Sequence, residues 1–573
     1  MDSPPAAPPR HWFLPALAVL ACFLLLGTRG LNEPDEGRYA EIAREMIERG
    51  DWLVPHLWYV PHLDKPPMTY WLVAASLQTF GLNEWAVRLP LALAGLSGAW
   101  ATFLLARSIA GEAAARRAVL VLVSALLYWG MARMLTTDIF LTQFIAWSLY
   151  FFWRSWRALD ALGDNDEEVR ARAARTCFVW HVAAWLALAG GFLTKGPIAL
   201  LIPGVAVGAL LIFRRKEKLR LSLLLLGAIG GTLVFGLLAL PWFVTIFQTV
   251  PKAFDFMVMG QAVGHSFGSA IDNRGKPFYF FIGLLAVGFL PWTPLLGWLW
   301  RRAHWHTLDD ARKDAWVLLT AWAAFTLVFF SCTRAKLPAY ILPLFPALAV
   351  LVAMRWKEDE LRLPVARAVA AMSALSAVAL PLVFHFAFKL PDDAWVWRLA
   401  ALGLVLAVVM WFKARGLAWQ WRAGWSAVVA LASLFAVLWF VPSIETKLRS
   451  NQTLKPIGVA LREAYRPGDA VVVWGRFAQG LPFYAYPALN ATNRPFLGGV
   501  PMDKVPFEFP GNAQRLAPWL VKDEAALAEM LAGPRRVLVV DFRGLLRQSR
   551  ERKTNAPVRP ITQAGEWELY SNR

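Results

Sequence analysis

Cysteine is almost missing from this sequence: Cys22, Cys177 and Cys332 are the whole complement of 573 residues, each in or beside an apolar run. The polar tail has none, which argues against a disulfide framework or a cysteine zinc site there. Charge is scarce as well, at 17% of residues against 57% hydrophobic, with mean hydropathy +0.44. That is too apolar for an ordinary water-soluble surface. Acids are outnumbered, leaving a formal net charge of +19. The bases sit mainly in short loops between apolar runs, so they argue against a nucleic-acid partner and act as a topology signal. No repeat of fixed period is visible, and no inverted halves of the transporter kind. What the chain has in quantity is aromatic and aliphatic surface, and its 30 Trp suit the headgroup boundaries of many membrane spans.

A Pro-rich stretch runs to Arg10, and the apolar run behind it, about Trp12 to Gly27, has no small-residue cleavage pattern and reads as a retained first helix. Further runs lie near 86–106, 117–132, 138–153, 176–192, 197–213, 221–247, 278–300, 315–332, 337–354, 365–388, 396–412 and 425–442. At 1.5 Å per residue each approaches the roughly 30 Å of hydrocarbon, so about 13 transmembrane helices are expected.

Alternate loops differ in Lys and Arg. One set holds Arg107, Arg116 and Arg117, then Arg154, Arg157, Arg170, Arg172 and Arg175, then Arg214, Arg215, Lys216, Lys218 and Arg220, and continues through Arg301 to Lys313, Arg355 to Arg362 and Lys413 to Arg422. These loops are cytoplasmic by the positive-inside rule. The opposite set is poorer, and its long first loop is net acidic, which predicts a cytoplasmic N-terminus and an external C-terminus. Residues 1–442 form the transmembrane domain in this reading. Residues 443–573 form a soluble mixed α/β domain, with a turn at Pro467-Gly468-Asp469, buried strands at Val471–Trp474 and Val537–Val540, and a helix over Ala525–Leu531.

Chemistry concentrates in the first external loop, about Thr28 to Trp85. After Pro34, Tyr39, Ile42, Ala43, Met46 and Ile47 recur at helical spacing, with Glu41, Arg44, Glu45 and Glu48 on the other side, which predicts a helix lying along the interface. Asp35 and Glu36 fall in its first turn, where two readings stand: acids stabilised by the helix dipole, or a functional pair beside Arg38 and Tyr39. His62-Leu63-Asp64-Lys65-Pro66-Pro67 follows, then an amphipathic run Met68–Phe80, short for a span and read as a second interfacial helix. Lys65 either snorkels toward headgroups or meets a ligand. His56, His62 and Asp64 offer a divalent cation three ligands at a spacing that matches no established pattern.

The acidic pair, Arg38-Tyr39 and the downstream Asp64-Lys65-Pro66-Pro67 resemble the signature of the bacterial lipid A aminoarabinose (4-amino-4-deoxy-L-arabinose) transferase family, GT-C fold glycosyltransferases related to protein O-mannosyltransferases. Thr136-Thr137-Asp138, Thr194-Lys195-Gly196-Pro197, Arg274-Gly275-Lys276-Pro277 and Lys336-Leu337-Pro338-Ala339-Tyr340-Ile341-Leu342-Pro343 are similar to further family motifs. The likeness covers the first 350 residues; the tail matches in position and size only. The loop assignment, made without it, puts Asp35, Lys65, Lys195, Arg274, Lys276, Arg334 and Lys336 on one face. Bases without matching acids on that face suit a lipid phosphate, whereas plain headgroup attraction favours the cytoplasmic side.

The resemblance implies an undecaprenyl-phosphate sugar donor, a lipid A phosphate as acceptor, inner membrane lipids as surroundings and transfer on the periplasmic side. Asp35, Glu36 and Asp138 are the expected catalytic carboxylates, and Arg38, Tyr39, Lys65, Lys195, Arg274, Lys336 and Tyr340 the substrate-binding groups. Asp138 is expected to pair with Lys65. No soluble cofactor is called for. Transfer of another sugar to protein or glycan is the alternative within enzymes, and a lipid-linked sugar flippase the alternative outside them; a flippase needs ionisable groups near mid-span.

Overall fold

The computed structural model describes residues 22–163, 165–216, 218–264, 276–290, 292–299, 302–356, 453–501, 507–545 and 558–573. Most of the first expected span, the spans at 365–388, 396–412 and 425–442, Arg274 and the 442/443 boundary lie outside them.

The first loop forms α1 (Asp35–Arg49), a short hairpin of β1 (His56–Leu57) and β2 (Val60–Pro61), and α2 (Met68–Phe80). Gly50 ends α1 in the left-handed region, φ 65°, donating its amide to Ile47 O, which is the usual glycine stop. Both helices match the sequence expectation in extent. The environment of α1 does not. Glu41, Arg44 and Glu45 are buried rather than facing water, because the hairpin and the C-terminal unit close over that side. Arg44 bridges Glu41 at 2.6 Å and Glu48 at 2.7 Å, and Glu45 accepts the amides of Trp58 (2.6 Å) and Tyr59 (2.9 Å). Burial, with Glu41 alongside, pushes the Glu45 carboxyl well above the usual range. The polar side of a helix expected to lie along the interface is thus an internal network.

The helices that follow are α3 (Glu84–Ser124), broken at Gly111, α4 (Asp138–Ala158), α5 (Glu167–Lys195), α6 (Ile198–Phe213), α7 (Lys218–Thr249), α8 (Asp310–Cys332) and α9 (Phe345–Arg355). The 278–300 run is not one helix: it holds Phe280–Gly288 and a separate short piece ending at Leu299. Five helices among the described residues are long and apolar enough to cross a membrane. On α7, Leu225, Ile229, Leu233 and Leu237 recur every fourth residue and are all at least 63% exposed, a face that only lipid solvates without penalty.

The two ends of α4 meet different partners. At its C-terminal end Trp156 donates to Asp314 (3.0 Å), which also takes Arg214 (2.6 Å). At its N-terminal end Asp138 meets Lys195 at 2.5 Å. Eighteen residues of helix separate the two clusters by about 27 Å, close to a bilayer core. Arg214 and Asp314 lie beside loops of the Arg-rich set, while Lys195 belongs to the poorer set, so the alternation read from the loops has a geometric counterpart.

After α10 (Lys455–Ala464), the C-terminal unit builds a six-stranded sheet from β3 (Ala470–Trp474), β4 (Phe496–Gly498), β5 (Leu520–Val521), β6 (Val537–Phe542), β7 (Arg559–Ala564) and β8 (Trp567–Ser571), in the order β5-β4-β3-β6-β8-β7. The first four run parallel and β8 and β7 pair antiparallel at one side. β3 and β6 are the two expected strands, fully buried Val runs as central parallel strands require. Helix α11 (Glu524–Ala532) covers the segment read as helical.

Candidate active site

The N-terminal ends of α1 and α4, the last turn of α5 and the segment before α9 converge. Asp35 opens α1 and bonds Arg38 one turn on, Oδ1 to Nη2 2.7 Å. Pro34 holds the N-cap position and no side chain caps the helix, so capping accounts for neither acid. The two acids diverge sharply in setting. Glu36 has no exposed side-chain surface: Arg88 approaches at 2.9 Å with both Nε and Nη2, Arg29 Nη1 at 2.8 Å, and the amides of Asn32 and Leu135 at 3.0 Å. Burial alone would raise its pKa, but the two guanidiniums prevail and hold it well below the carboxylate range. Asp35 keeps 36% of its side chain exposed and so remains open to a substrate.

Lys65 does not pair with Asp138. It is held by its own neighbour, Nζ to Asp64 Oδ1 2.8 Å. Asp138 instead takes Lys195, which reaches it because Gly196, at φ 69°, ends α5 immediately after the lysine. The Lys65–Asp64 contact is satisfied between adjacent residues, and the second lysine fills the place expected of the first. Lys195 also lies over the Tyr340 ring, 4.3 Å from its centroid. Asp64, although burial works against ionisation, is kept charged by Lys65 and then Arg38, well below its ordinary range. Tyr39 stacks on Tyr70 with centroids 5.5 Å apart, lining the site's apolar side.

His62 is buried in this group, and desolvation together with Arg38 drives its pKa down to about 3, so the ring is neutral. A divalent cation finds no set of three or more potential ligands among the described residues. His56 directs Nδ1 to Val54 O at 2.7 Å, away from His62 and Asp64.

Lys336 stands apart. With Lys276, Arg334, Cys332, Phe278 and Ile282 it lines a cavity of about 780 Å³ beside α8, its lining both basic and apolar. The segment Lys336–Tyr340 thus joins this cavity to the Asp138–Lys195 cluster. Sequence reading missed three contributors: Asp64 as the partner of Lys65, the Arg29–Arg88 clasp on Glu36, and Glu33. Glu33 Oε1 accepts from Gly480 N at 2.9 Å, and burial pushes its carboxyl up to about 8 against the pull of that amide, Arg476 and Arg38. The Asp-Lys dipeptide carried the first signal; nothing local announces the other two.

Apolar helices of membrane length around a charged site at one end of the bundle, with an α/β unit packed against that end, define a polytopic membrane protein of the GT-C fold. The whole architecture matches ArnT from Cupriavidus metallidurans, crystallised bound to undecaprenyl phosphate, with a TM-score of 0.78 at 23% identity over 98% of this chain and 97% of that one. The dolichyl-phosphate-mannose-protein mannosyltransferase family model matches residues 64–163. The undecaprenyl phosphate-alpha-4-amino-4-deoxy-L-arabinose arabinosyl transferase of Serratia proteamaculans is 30% identical over 440 residues, 73% of this chain and 74% of that protein. The enzyme of the same name from Edwardsiella ictaluri is 34% identical over 60% of this chain and 58% of its own length, so the aligned region spans less than two thirds of that relative. The chain belongs to the undecaprenyl phosphate-aminoarabinose arabinosyl transferase family.

Proposed function

We propose that the protein transfers 4-amino-4-deoxy-L-arabinose from undecaprenyl phosphate to a phosphate of lipid A, at the periplasmic face of the bacterial inner membrane. The observation that carries this reading is the convergence of Asp35, Asp64–Lys65, Asp138–Lys195 and Tyr340 at one end of the helix bundle. In the reaction the bond from the anomeric carbon to the donor phosphate oxygen breaks and a bond to a lipid A phosphate oxygen forms. Undecaprenyl phosphate leaves with one more negative charge. Fixed cations aimed at those oxygens stabilise that charge as it develops. Lys65 and Lys195, each held in direction by an acid, take that role with Tyr340 and Arg274.

Asp35 faces the sugar. An acceptor phosphate is already ionised and needs no strong base, so the carboxylate acts chiefly on the positive charge that develops at the anomeric carbon. Arg38 and Tyr39 hold Asp35 and the sugar's surroundings, Asp138 is a positioning residue acting through Lys195, and Glu36 braces the loop. The basic and apolar cavity containing Lys336 suits a second lipid phosphate with its chains running into the membrane. Charges gathered at one end rather than at mid-span favour transfer over flipping.

Mass spectrometry of lipid A from bacteria with and without the gene tests the whole reading: addition of one aminoarabinose is expected, and unmodified lipid A with a sugar on protein or glycan would replace the acceptor. The expected topology has about 13 helices, a cytoplasmic N-terminus and a periplasmic unit from 443 onward. A periplasm-dependent reporter fused after Val441 is expected to be active; activity of a cytoplasm-dependent one would shift the span count by an odd number. Replacing Lys65 by Ala, or Arg274 by Ala, is expected to weaken undecaprenyl phosphate binding by about tenfold, the worth of one charge-assisted contact. Parental affinity in both variants would move the phosphate site elsewhere.

A further inference from the structure

The C-terminal unit grips the first loop at the two stretches that carry the site. At the start of α1, the backbones of Gly37 and Gly480 are in direct contact: a Cβ on Gly480 would lie 2.7 Å from Gly37 Cα, and one on Gly37 would lie 3.1 Å from Gly480 Cα. A Cβ at Gly480 has no room unless the Gly37 backbone moves, and one at either position would also strike the Glu33 carboxyl. The Glu33 carboxyl locks this approach by accepting the Gly480 amide at 2.9 Å. Trp58 Nε1 donates to Gln479 O at 3.3 Å, and its ring meets Phe477 with centroids 4.8 Å apart. At the far end of α1, Glu48 accepts the Ala491 amide at 2.8 Å. The second stretch is held separately: Asn512 Nδ2 donates to Pro61 O at 2.9 Å, one residue before His62-Leu63-Asp64-Lys65.

Gly37 sits between Glu36 and Arg38, and Glu36 is already anchored in the membrane-side bundle through Arg88 on α3. The first turn of α1 is therefore fixed from two directions, from below by Arg88 and from above by Gly480. Asp35, 36% exposed, and its partner Arg38 take their direction from that turn. We propose that Glu33 and the Ala478–Leu481 loop of the C-terminal unit are positioning elements of the transferase site, setting the direction of Asp35 and Arg38 through the Gly37–Gly480 contact. The inference rests on the transferase reading for its kinetic consequence and on geometry alone for the contact. It gives the C-terminal unit a task in catalysis although it presents none of the reacting groups.

The test uses the full-length protein in detergent, with three variants: Glu33→Gln, which keeps the acceptor oxygen, Glu33→Ala, which removes it, and Gly480→Ala, which forces the two backbones apart. Transfer to lipid A, undecaprenyl phosphate binding, thermal melting and amide hydrogen exchange are measured on each. Glu33→Ala is expected to lower kcat about tenfold or more with the donor KM and undecaprenyl phosphate binding within about twofold, since a misdirected group costs rate more than affinity. Glu33→Gln is expected to recover most of that rate. Exchange over residues 35–40 should quicken in Glu33→Ala and Gly480→Ala and stay parental in Glu33→Gln. A merely structural contact would lower the melting point without splitting kcat from KM or separating Gln from Ala. Folded Glu33→Ala with parental kcat and parental exchange overturns the inference. A parent protein that transfers nothing overturns the function instead, and the exchange pattern then decides the contact by itself.

Discussion

Asp35→Asn is expected to abolish glycosyl transfer, by about 100-fold or more in rate, while leaving folding and undecaprenyl phosphate binding intact. Asn keeps the size of the side chain and an oxygen for Arg38, so the substitution removes charge and little else. What it costs in stability is small: the Asp35 side chain is 36% exposed, and ion pairs open to water contribute about 0–1 kcal/mol. A helix-capping role predicts no loss, because Pro34 holds the N-cap and Asp35 caps nothing. A carboxylate that stabilises positive charge on the sugar acts mainly in the transition state, so kcat and kcat/KM are expected to fall together. The measurement is transfer by purified protein with donor lipid and lipid A, beside a thermal melt. Near-normal turnover in Asp35→Asn would pass the role to Asp64 or Asp138, the other carboxylates at the site.

Glu36→Ala is expected to do the opposite, destabilising the fold strongly for reasons unrelated to the reacting sugar. The wild-type carboxylate neutralises Arg88, which is 1% exposed, and Arg29, and accepts two backbone amides besides. Its removal leaves a buried guanidinium without its anion, a change that costs about 3–5 kcal/mol. Thermal melting in detergent should drop markedly, and Glu36→Gln should recover part of the loss by keeping the acceptor oxygen. The pH dependence follows in sign: the folded pKa is depressed, so the contribution is present above the unfolded value, about 4.3, and is lost only as pH falls through the still lower folded value. Adjacent acids of one motif are thus expected to separate into a reacting group and a brace. Glu36→Ala that melts like the parent but fails to transfer would reverse the two assignments.

That separation shows where sequence reading stops. Asp35 and Glu36 are consecutive, and their spacing from Arg38 and Tyr39 is compatible with either in the site. The distinction comes from Arg88, fifty-two residues on in the chain, whose position beneath α1 no local pattern encodes. The same holds for Lys65 and Lys195. Both were legible as cations near one face, because the loops alternate in charge. Which of them meets Asp138 depends on how α4 and α5 pack, and the nearer acid, Asp64, had already satisfied Lys65. The interfacial setting expected for α1 failed for a related reason: a periodic row of acids looks alike whether an interface or a second unit covers it. Here Trp58 and Tyr59 amides, Arg44 and the Ala491 amide supply the partners that water would otherwise supply.

The sequence by itself determined what depends on local composition and period. Among the described residues five apolar stretches became helices of membrane length, Pro34 and Gly50 bounded α1, and the Val runs of the tail became the central parallel strands β3 and β6. Only the tertiary structure decided which charges meet, because an ion pair depends on distances of a few ångströms between segments tens to hundreds of residues apart. It paired Lys195 with Asp138, closed Arg29 and Arg88 on Glu36, and brought Gly480 against Gly37 across more than four hundred residues. Burial then fixed the chemistry of each group, since a carboxylate surrounded by guanidiniums stays charged and structural, while one left open beside a single arginine remains available to a substrate.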